Sequence, residues 1–202
     1  IRIASGDIEG LNSLTSQKDI VAVLVEPVQG EGGVRPLSRE YLGALRSLCD
    51  QQNWLLMFDE VQTGNGRCGA LYAYQRLGVT PDVLTTAKGL GNGYPIGACL
   101  AKGEASSALR AGDHGTTYGG SPLACAAASA VVNTLADPHL LARADVIRDH
   151  ILKAFGDHLA NPAHVDEIRG LGLMLGIEVS VPATGLVSAA LEQGTIINVT
   201  SG

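Results

Sequence analysis

Acidic, amide and amine side chains follow three short apolar runs of the sequence, each at the point where its run ends. Glu31 follows the first run, Asp59 and Gln62 follow the second, and Lys88 follows the third. Short apolar, β-branched runs separated by helix-length segments predict parallel strands. The carboxyl ends of parallel strands meet at one edge of a sheet, where ligands bind. We therefore expect these side chains to face one cavity.

An amine and a carboxylate on neighbouring strand ends have the chemistry to hold pyridoxal 5'-phosphate (PLP). Lys88 could carry this cofactor as a Schiff base, which a confined site favours. The ring nitrogen must stay protonated if the cofactor is to withdraw electrons, and Asp59 could keep it so. Gln62 could donate to the phenolic oxygen. The amine of Lys88, once substrate has displaced it, could move the Cα proton.

Taken singly, each of these residues also has a structural explanation. A strand-end aspartate is often a helix cap, a Lys-Gly pair is usually a solvated lysine before a turn, and Glu60 could simply be solvated. The glycine-rich stretch 88–93 could cradle a phosphate, but loose glycine patterns are common in ordinary turns. The prediction of a PLP site therefore depends on the combination.

Composition excludes several classes of protein. The chain has 202 residues, of which 46% are hydrophobic and 17% charged, so it can bury a substantial core. The net charge of -6 is a poor match for nucleic acid or an anionic membrane. No apolar run approaches the roughly 20 residues of a membrane span, and no targeting leader opens the sequence. The first and last residues suggest that both ends are cut from a longer chain.

The four cysteines are widely spaced and form no CxxC pair. This spacing favours reduced thiols in a cytoplasmic protein over a disulfide or zinc framework. The cysteines are Cys49, Cys68, Cys99 and Cys125.

Alternating strand and helix patterns predict an α/β fold with a mostly parallel sheet flanked by helices. The predicted strands cover residues 21–25, 54–58, 83–86 and 96–100. A helix follows Ser38, and another, over 123–135, is so apolar that we expect it to be buried on most sides.

Asp137-Pro138 marks a predicted domain boundary. Residues 1–136 would belong to a large domain and residues 137–202 to a smaller α+β lobe. This lobe would contain two helices, a pair of strand segments within 168–179, and a last strand over 195–199.

Four sequence segments stand in the order found in a known enzyme family. They are EPVQGEGG at 26–33, DEVQTGNGR at 59–67, PDVLTTAKGLG at 81–91 and HGTTYGGSPL at 114–123. The chain resembles the class III (ornithine-type) aminotransferases of PLP fold type I. Within that family, RGLGLM at 169–174 and INVT at 197–200 are most similar to the acetylornithine aminotransferase branch.

The resemblance implies a role for each matching residue around the cofactor. Lys88 would carry PLP and shuttle the proton, and Asp59 would pair with the pyridinium nitrogen. Val61 would pack on the ring face, and Gln62 would reach the phenolic oxygen. Glu60, in the same segment, is also predicted to bind the cofactor.

The resemblance also implies a homodimer with a shared active site. Thr117 would bind the cofactor phosphate of the neighbouring subunit, and Thr116 would lie near the substrate. Glu31 resembles the family's gating glutamate, which pairs with an arginine and yields to the carboxylate of 2-oxoglutarate. The partners would thus be an amino acid, a 2-oxo acid and a second subunit.

The chain departs from the family pattern in several places. The Gly-Thr phosphate loop, the ring-stacking aromatic residue and one substrate arginine precede the segment at Glu26 in the family, and the second arginine follows the position of Thr200. None of these lies within the present sequence. Ser121 replaces a usual Asn.

Three hypotheses remain open. The leading one is transamination between N-acetylornithine and 2-oxoglutarate, in arginine biosynthesis. Its siblings are ornithine, succinylornithine and 4-aminobutyrate aminotransferases and an aminomutase on the same fold. The second is a non-catalytic module descended from such an enzyme. The third, a nucleotide-binding protein using the loop 89–93, is disfavoured because no glycine-rich turn links the first strand to a helix.

Overall fold

The computed structural model describes residues 1–159 and 162–200 of the chain. Within them the strands are, in chain order, β1 (Ala22–Val25), β2 (Val28–Gln29), β3 (Arg35–Pro36), β4 (Leu55–Asp59), β5 (Val83–Thr86), β6 (Ala98–Ala101), β7 (Val165–Leu171) and β8 (Met174–Val179). The α-helices are α1 (Ile8–Ser13), α2 (Arg39–Gln52), α3 (Ala73–Leu77), α4 (Pro122–Leu135), α5 (Pro138–His158) and α6 (Leu186–Glu192).

The central sheet has the strand order β1-β4-β5-β6. Strands β1, β4 and β5 are parallel, and β6 runs antiparallel to β5. The predicted mostly parallel sheet is therefore confirmed. Side chains of β4 alternate across the sheet, as a strand requires. Leu56 and Phe58 are fully buried on one face, and Glu60 continues this alternation beyond the strand end.

Helix α2 forms the main core with one face of this sheet. It begins at the N-cap Ser38, whose hydroxyl accepts the N–H of Tyr41 at 3.1 Å, and it ends at Asn53 in the left-handed conformation. Its buried stripe includes Leu42 and Leu45, both inaccessible to solvent. They pack in one cluster with Phe58. Burial of each such side chain stabilises the fold by about 1.5–3 kcal/mol.

Strand β1 and helix α4 are less buried within this chain than their apolar composition suggests. Strand β1 lies at the sheet edge, and its Leu24 is 63% exposed. Helix α4 begins one residue before the predicted range and ends where predicted, but among its described residues only Ala124 is buried. A helix that is apolar on most sides is expected to be packed against other residues. Composition cannot predict that those residues come from the same chain, and here the main contacts of α4 are with α5 and with the turn Lys88–Leu90 after β5.

The described residues after Asp137 form α5, the antiparallel hairpin β7–β8 and α6. The predicted pair of strands is confirmed, but residues 195–199 form no strand. A strand needs a neighbour for its backbone hydrogen bonds, and β7 and β8 pair only with each other in the part that the structure describes. Asp137 caps α5 by accepting the N–H of His139 at 2.9 Å.

Arginine side chains join the hairpin β7–β8 to the turn between β2 and β3. Nε of Arg169 donates to the Gly33 carbonyl at 2.9 Å, and its guanidinium also bonds Glu178. Arg35 reaches the same Glu178 carboxylate at 3.1 Å. The hairpin is thereby held against the carboxyl edge of the central sheet. No helix in the described ranges combines the length and apolar character that a membrane crossing requires.

Candidate active site

The carboxyl ends of β4 and β5 lie side by side, as predicted. In the parallel register Asp59 stands opposite Thr85, and the N–H of Glu60 donates to the Thr85 carbonyl at 2.9 Å. Lys88 follows three residues after Thr85, in the turn that ends β5. The segments that carry the carboxylate and the amine are therefore neighbours at one edge of the sheet.

A cavity of about 350 Å³ opens at this edge. Its lining includes Lys88, Gln62 and Val61, which are three of the predicted site residues, and Lys88 is exposed. The remaining lining residues are Val34, Gly64, Asn65, Arg67, Gly89, Leu173, Met174 and Leu175. The volume is within the range of small-ligand sites.

Asp59 lines a second cavity, of about 490 Å³, together with Glu26, Gln29 and Tyr41. Within this chain the structure therefore does not bring Asp59 and Lys88 into one cavity, contrary to the expectation of a single cavity. Asp59 is connected to the first cavity through Val61. One carboxylate oxygen of Asp59 accepts the N–H of Val61 at 3.0 Å, and the side chain of Val61 lines the first cavity.

The side chain of Gln62 lies directly over Gly30. A Cβ at position 30 would overlap its amide oxygen, so any larger residue there would displace the Gln62 side chain. The carboxylate of Glu26 closes the same loop by accepting the N–H of Gly30 at 3.0 Å. The loop that carries Glu31 is thereby held against the site, while Glu31 itself is exposed.

Glu60 differs from its predicted role as a cofactor-binding residue. Its side chain is fully buried, and its carboxylate accepts the Thr63 hydroxyl at 2.9 Å and the N–H groups of Ala73 and Tyr74 at 2.6 and 2.8 Å. It lines neither cavity. Burial raises the pKa of this carboxyl, although the hydrogen bonds oppose the shift. Glu60 therefore braces the loop between β4 and α3 from the side of the core.

Thr116 and Thr117 lie in an exposed segment before α4 and line neither cavity. The N–H of Gly119 donates to the Thr116 carbonyl at 3.4 Å, which closes a turn there. The roles that the resemblance implies for these two threonines remain predictions.

Two parts of the first cavity were missed by sequence reasoning. Asn65 lies between two glycines, a position where a left-handed residue is common, and that signal could have drawn attention to it. The run 173–175 comes from the turn and second strand of the distant hairpin, and no local pattern predicts that it lines the same cavity as Lys88.

Comparison with known proteins identifies the family. Residues 3–201 match the family described as aminotransferase class-III. Over 202 residues, covering 100% of this chain and 51% of the relative, the sequence is 45% identical to acetylornithine aminotransferase of Nitrosomonas europaea. It is 46% identical over 194 residues to succinylornithine transaminase of Yersinia pseudotuberculosis, covering 92% and 47% of the two chains.

A similar fold occurs in ornithine delta-aminotransferase of Plasmodium falciparum. The TM-score is 0.91 at 36% identity, and the match covers 100% of this chain and 54% of that one. The chain thus spans about half the length of the curated relatives that it matches. Its fold is that of the PLP fold type I aminotransferases. From the match over nearly all of its residues, this chain belongs to the class-III aminotransferase family.

Proposed function

We propose that the protein is a PLP-dependent aminotransferase that exchanges an amino group between N-acetylornithine and 2-oxoglutarate. The observation that carries the proposal is the cavity in which an amine, an amide and an apolar side chain meet at the carboxyl edge of a parallel sheet. Identities of 45–47% to acetylornithine aminotransferases support the choice of substrate.

The donor set of the two cavities fits PLP. Lys88 would hold it covalently, Val61 would contact a ring face, and Gln62 would donate to an oxygen substituent. Asp59 is half-buried next to Val61, where a carboxylate could hold a protonated ring nitrogen. When bound, the cofactor supplies an electron sink that lets a substrate amine lose its Cα proton.

The side chains of this chain would then bind, orient and move protons. The amine of Lys88 is the base within the cavity that could take and return the Cα proton. Glu60 holds the loop that presents Val61 and Gln62, so these two groups need not be ordered when ligand binds.

The substrate and dimer contacts are part of the same proposal. Glu31 and Thr116 would contact the substrate, and Thr117 would contact the cofactor phosphate of a second subunit. Their exposure in this chain leaves them accessible to such contacts. The four described thiols are free, which fits a reducing compartment such as the cytoplasm.

Absorbance tests the cofactor assignment. The protein at its natural full length should show a visible band after incubation with PLP, and Lys88→Ala should abolish it. Lys102→Ala is the matched control, because Lys102 is an exposed lysine that lines neither cavity. A band that survives in Lys88→Ala would refute the assignment, and no band in the natural protein would favour the non-catalytic alternative.

A second variant tests the role of the carboxylate. Asp59→Asn should retain some PLP yet lose most transamination, because the ring nitrogen would no longer be held protonated. The two measurements are the visible band and turnover of N-acetylornithine. Near-normal turnover in this variant would contradict the role.

Substrate kinetics separate the sibling activities. Values of kcat/KM for N-acetylornithine, succinylornithine, ornithine and 4-aminobutyrate should be highest for the first. Succinylornithine is the strongest rival, since a succinylornithine transaminase is among the relatives. Faster turnover of 4-aminobutyrate than of N-acetylornithine would show that the assignment to the acetylornithine branch is wrong.

A further inference from the structure

The backbone of Lys88 has a conformation that lysine seldom adopts. Its φ is +43°, in the left-handed region, where a side chain is unfavourable. A residue keeps such a conformation only when its surroundings hold it there. The contacts on either side of Lys88 therefore decide whether this residue keeps its place in the lining of the cavity.

Asn65 supplies contacts on both sides of Lys88. Its amide nitrogen donates to the hydroxyl of Thr86 at 2.8 Å and to the carbonyl of Ala87 at 3.1 Å, the two residues that precede the lysine. On the other side, a Cβ built on Gly89 would lie 3.1 Å from the Cβ of Asn65. One side chain thus confines three of the four residues 86–89.

The orientation of the Asn65 amide follows from its partners. A carbonyl oxygen can only accept, so the atom next to the Ala87 carbonyl must be the NH2 group. Neither aspartate nor an apolar residue could make these two bonds. Asn65 itself has a φ of +55°, which asparagine tolerates better than most residues.

The carbonyl of Ala87 connects this contact to the turn that contains the lysine. It also accepts the N–H of Leu90 at 2.8 Å, which closes the turn Lys88–Leu90. The same oxygen is thus bound from the loop after β4 and from the turn after β5. Displacement of Ala87 would move the backbone of Lys88 with it.

We propose that Asn65 is a positioning residue that fixes the left-handed backbone of Lys88, and thereby the direction of its amine, through its bonds to Thr86 and Ala87. Its relevance to catalysis rests on the proposed function. The geometric part does not, since it concerns this chain alone.

Two variants isolate the hydrogen bonds. Asn65→Gly and Asn65→Asp both tolerate a positive φ, and both remove the NH2 donors. Asn53→Asp is the matched control: Asn53 also has a positive φ, at +56°, but lies exposed at the opposite end of β4.

The first readout is hydrogen exchange of the Leu90 amide, followed by mass spectrometry on the full-length protein without cofactor. Loss of two neutral hydrogen bonds should speed this exchange by about tenfold in Asn65→Gly and Asn65→Asp. Asn53→Asp should leave it within about twofold of the natural protein. Unchanged exchange at Leu90 in both position-65 variants would overturn the proposal.

The second readout is attachment of PLP at Lys88, trapped with borohydride and measured as the mass of the lysine-containing peptide. The rate of trapping should fall by about tenfold in both variants at position 65 and stay unchanged in Asn53→Asp. Equal rates in all variants would overturn the proposal. If the natural protein traps no PLP, the proposed function fails, while the exchange measurement still tests the positioning.

A third variant decides the case if changes at position 65 destabilise the whole chain. Thr86→Val removes one acceptor of the Asn65 amide, together with the hydrogen bond between Thr86 and Tyr72, and keeps the shape of a side chain that is only 2% exposed. It should speed exchange at Leu90 and leave the amides of α2 unchanged. Equal acceleration in α2 would show a general stability effect and overturn the positioning role.

Discussion

Glu60 gives the sharpest test of how the site loop is held. Glu60→Gln keeps the size of the side chain but replaces one acceptor oxygen with an NH2 group. That group must then face one of the N–H donors of Ala73 or Tyr74, which lie 2.6 and 2.8 Å from the carboxylate. One hydrogen bond of about 1 kcal/mol is lost, and a buried unsatisfied donor adds about 1–3 kcal/mol.

The expected loss in the free energy of unfolding is therefore roughly 2–4 kcal/mol at pH 5. This is a large fraction of the roughly 5–15 kcal/mol that holds a typical domain together. Urea denaturation followed by circular dichroism measures it. Glu40→Gln is the matched control, since Glu40 is exposed in the first turn of α2 and should change stability by less than about 0.5 kcal/mol.

The pH dependence gives the same reasoning a second test. Burial raises the pKa of Glu60 above its value in the unfolded chain. Its contribution to stability is then fully present below the unfolded pKa, about 4.3, and is lost as pH rises through the folded pKa. The advantage of glutamate over glutamine should thus be larger at pH 5 than at pH 8. An advantage that grows with pH, or a loss below about 0.5 kcal/mol at pH 5, would refute this account.

The remaining predictions concern stability and thiols. Gly172→Ala should lower the free energy of unfolding, measured by thermal denaturation, by about 2 kcal/mol or more, because the φ of Gly172 is +57° and a Cβ there would lie 2.5 Å from the backbone of Cys68. The control Gly156→Ala, on the open face of α5, should be neutral or stabilising. Burial opposes ionisation of Asp82, yet hydrogen bonds from a backbone N–H and from Arg46 hold its pKa low. Asp82→Asn should therefore lower the free energy of unfolding by about 1 kcal/mol, and this loss should shrink as the pH falls through the pKa of Asp82. Ellman's reagent should react quickly with the exposed Cys99 and Cys125, and only after unfolding with the buried thiols, whose pKa burial raises to about 11 in Cys49 and about 12 in Cys68.

The position of the site at one sheet edge could be predicted because it depends on local patterns. Short apolar runs identified β4 and β5, and parallel pairing then put Asp59 and Lys88 at the same edge. The direction of the Glu60 side chain could also have been predicted. It continues the alternation of Leu56 and Phe58 and therefore points toward the core side.

Other features depend on contacts between distant parts of the sequence, and no local pattern contains them. The hold of Asn65 on Ala87 joins two loops 22 residues apart. The assignment of Asp59 to a second cavity depends on Glu26, Gln29 and Tyr41, which arrive from another part of the chain. The exposure of α4 depends on which surfaces this chain covers, a property that helix periodicity does not report.

The residues that line the first cavity are synthesised at different times. Lys88 and Leu173 are 85 residues apart. At roughly 5–20 residues per second, about 4–17 s separate the synthesis of the lysine from that of the hairpin wall. During that interval the nascent sheet edge lacks the wall that Leu173 and the hairpin supply. The cavity is therefore completed late in biosynthesis, when β7–β8 docks.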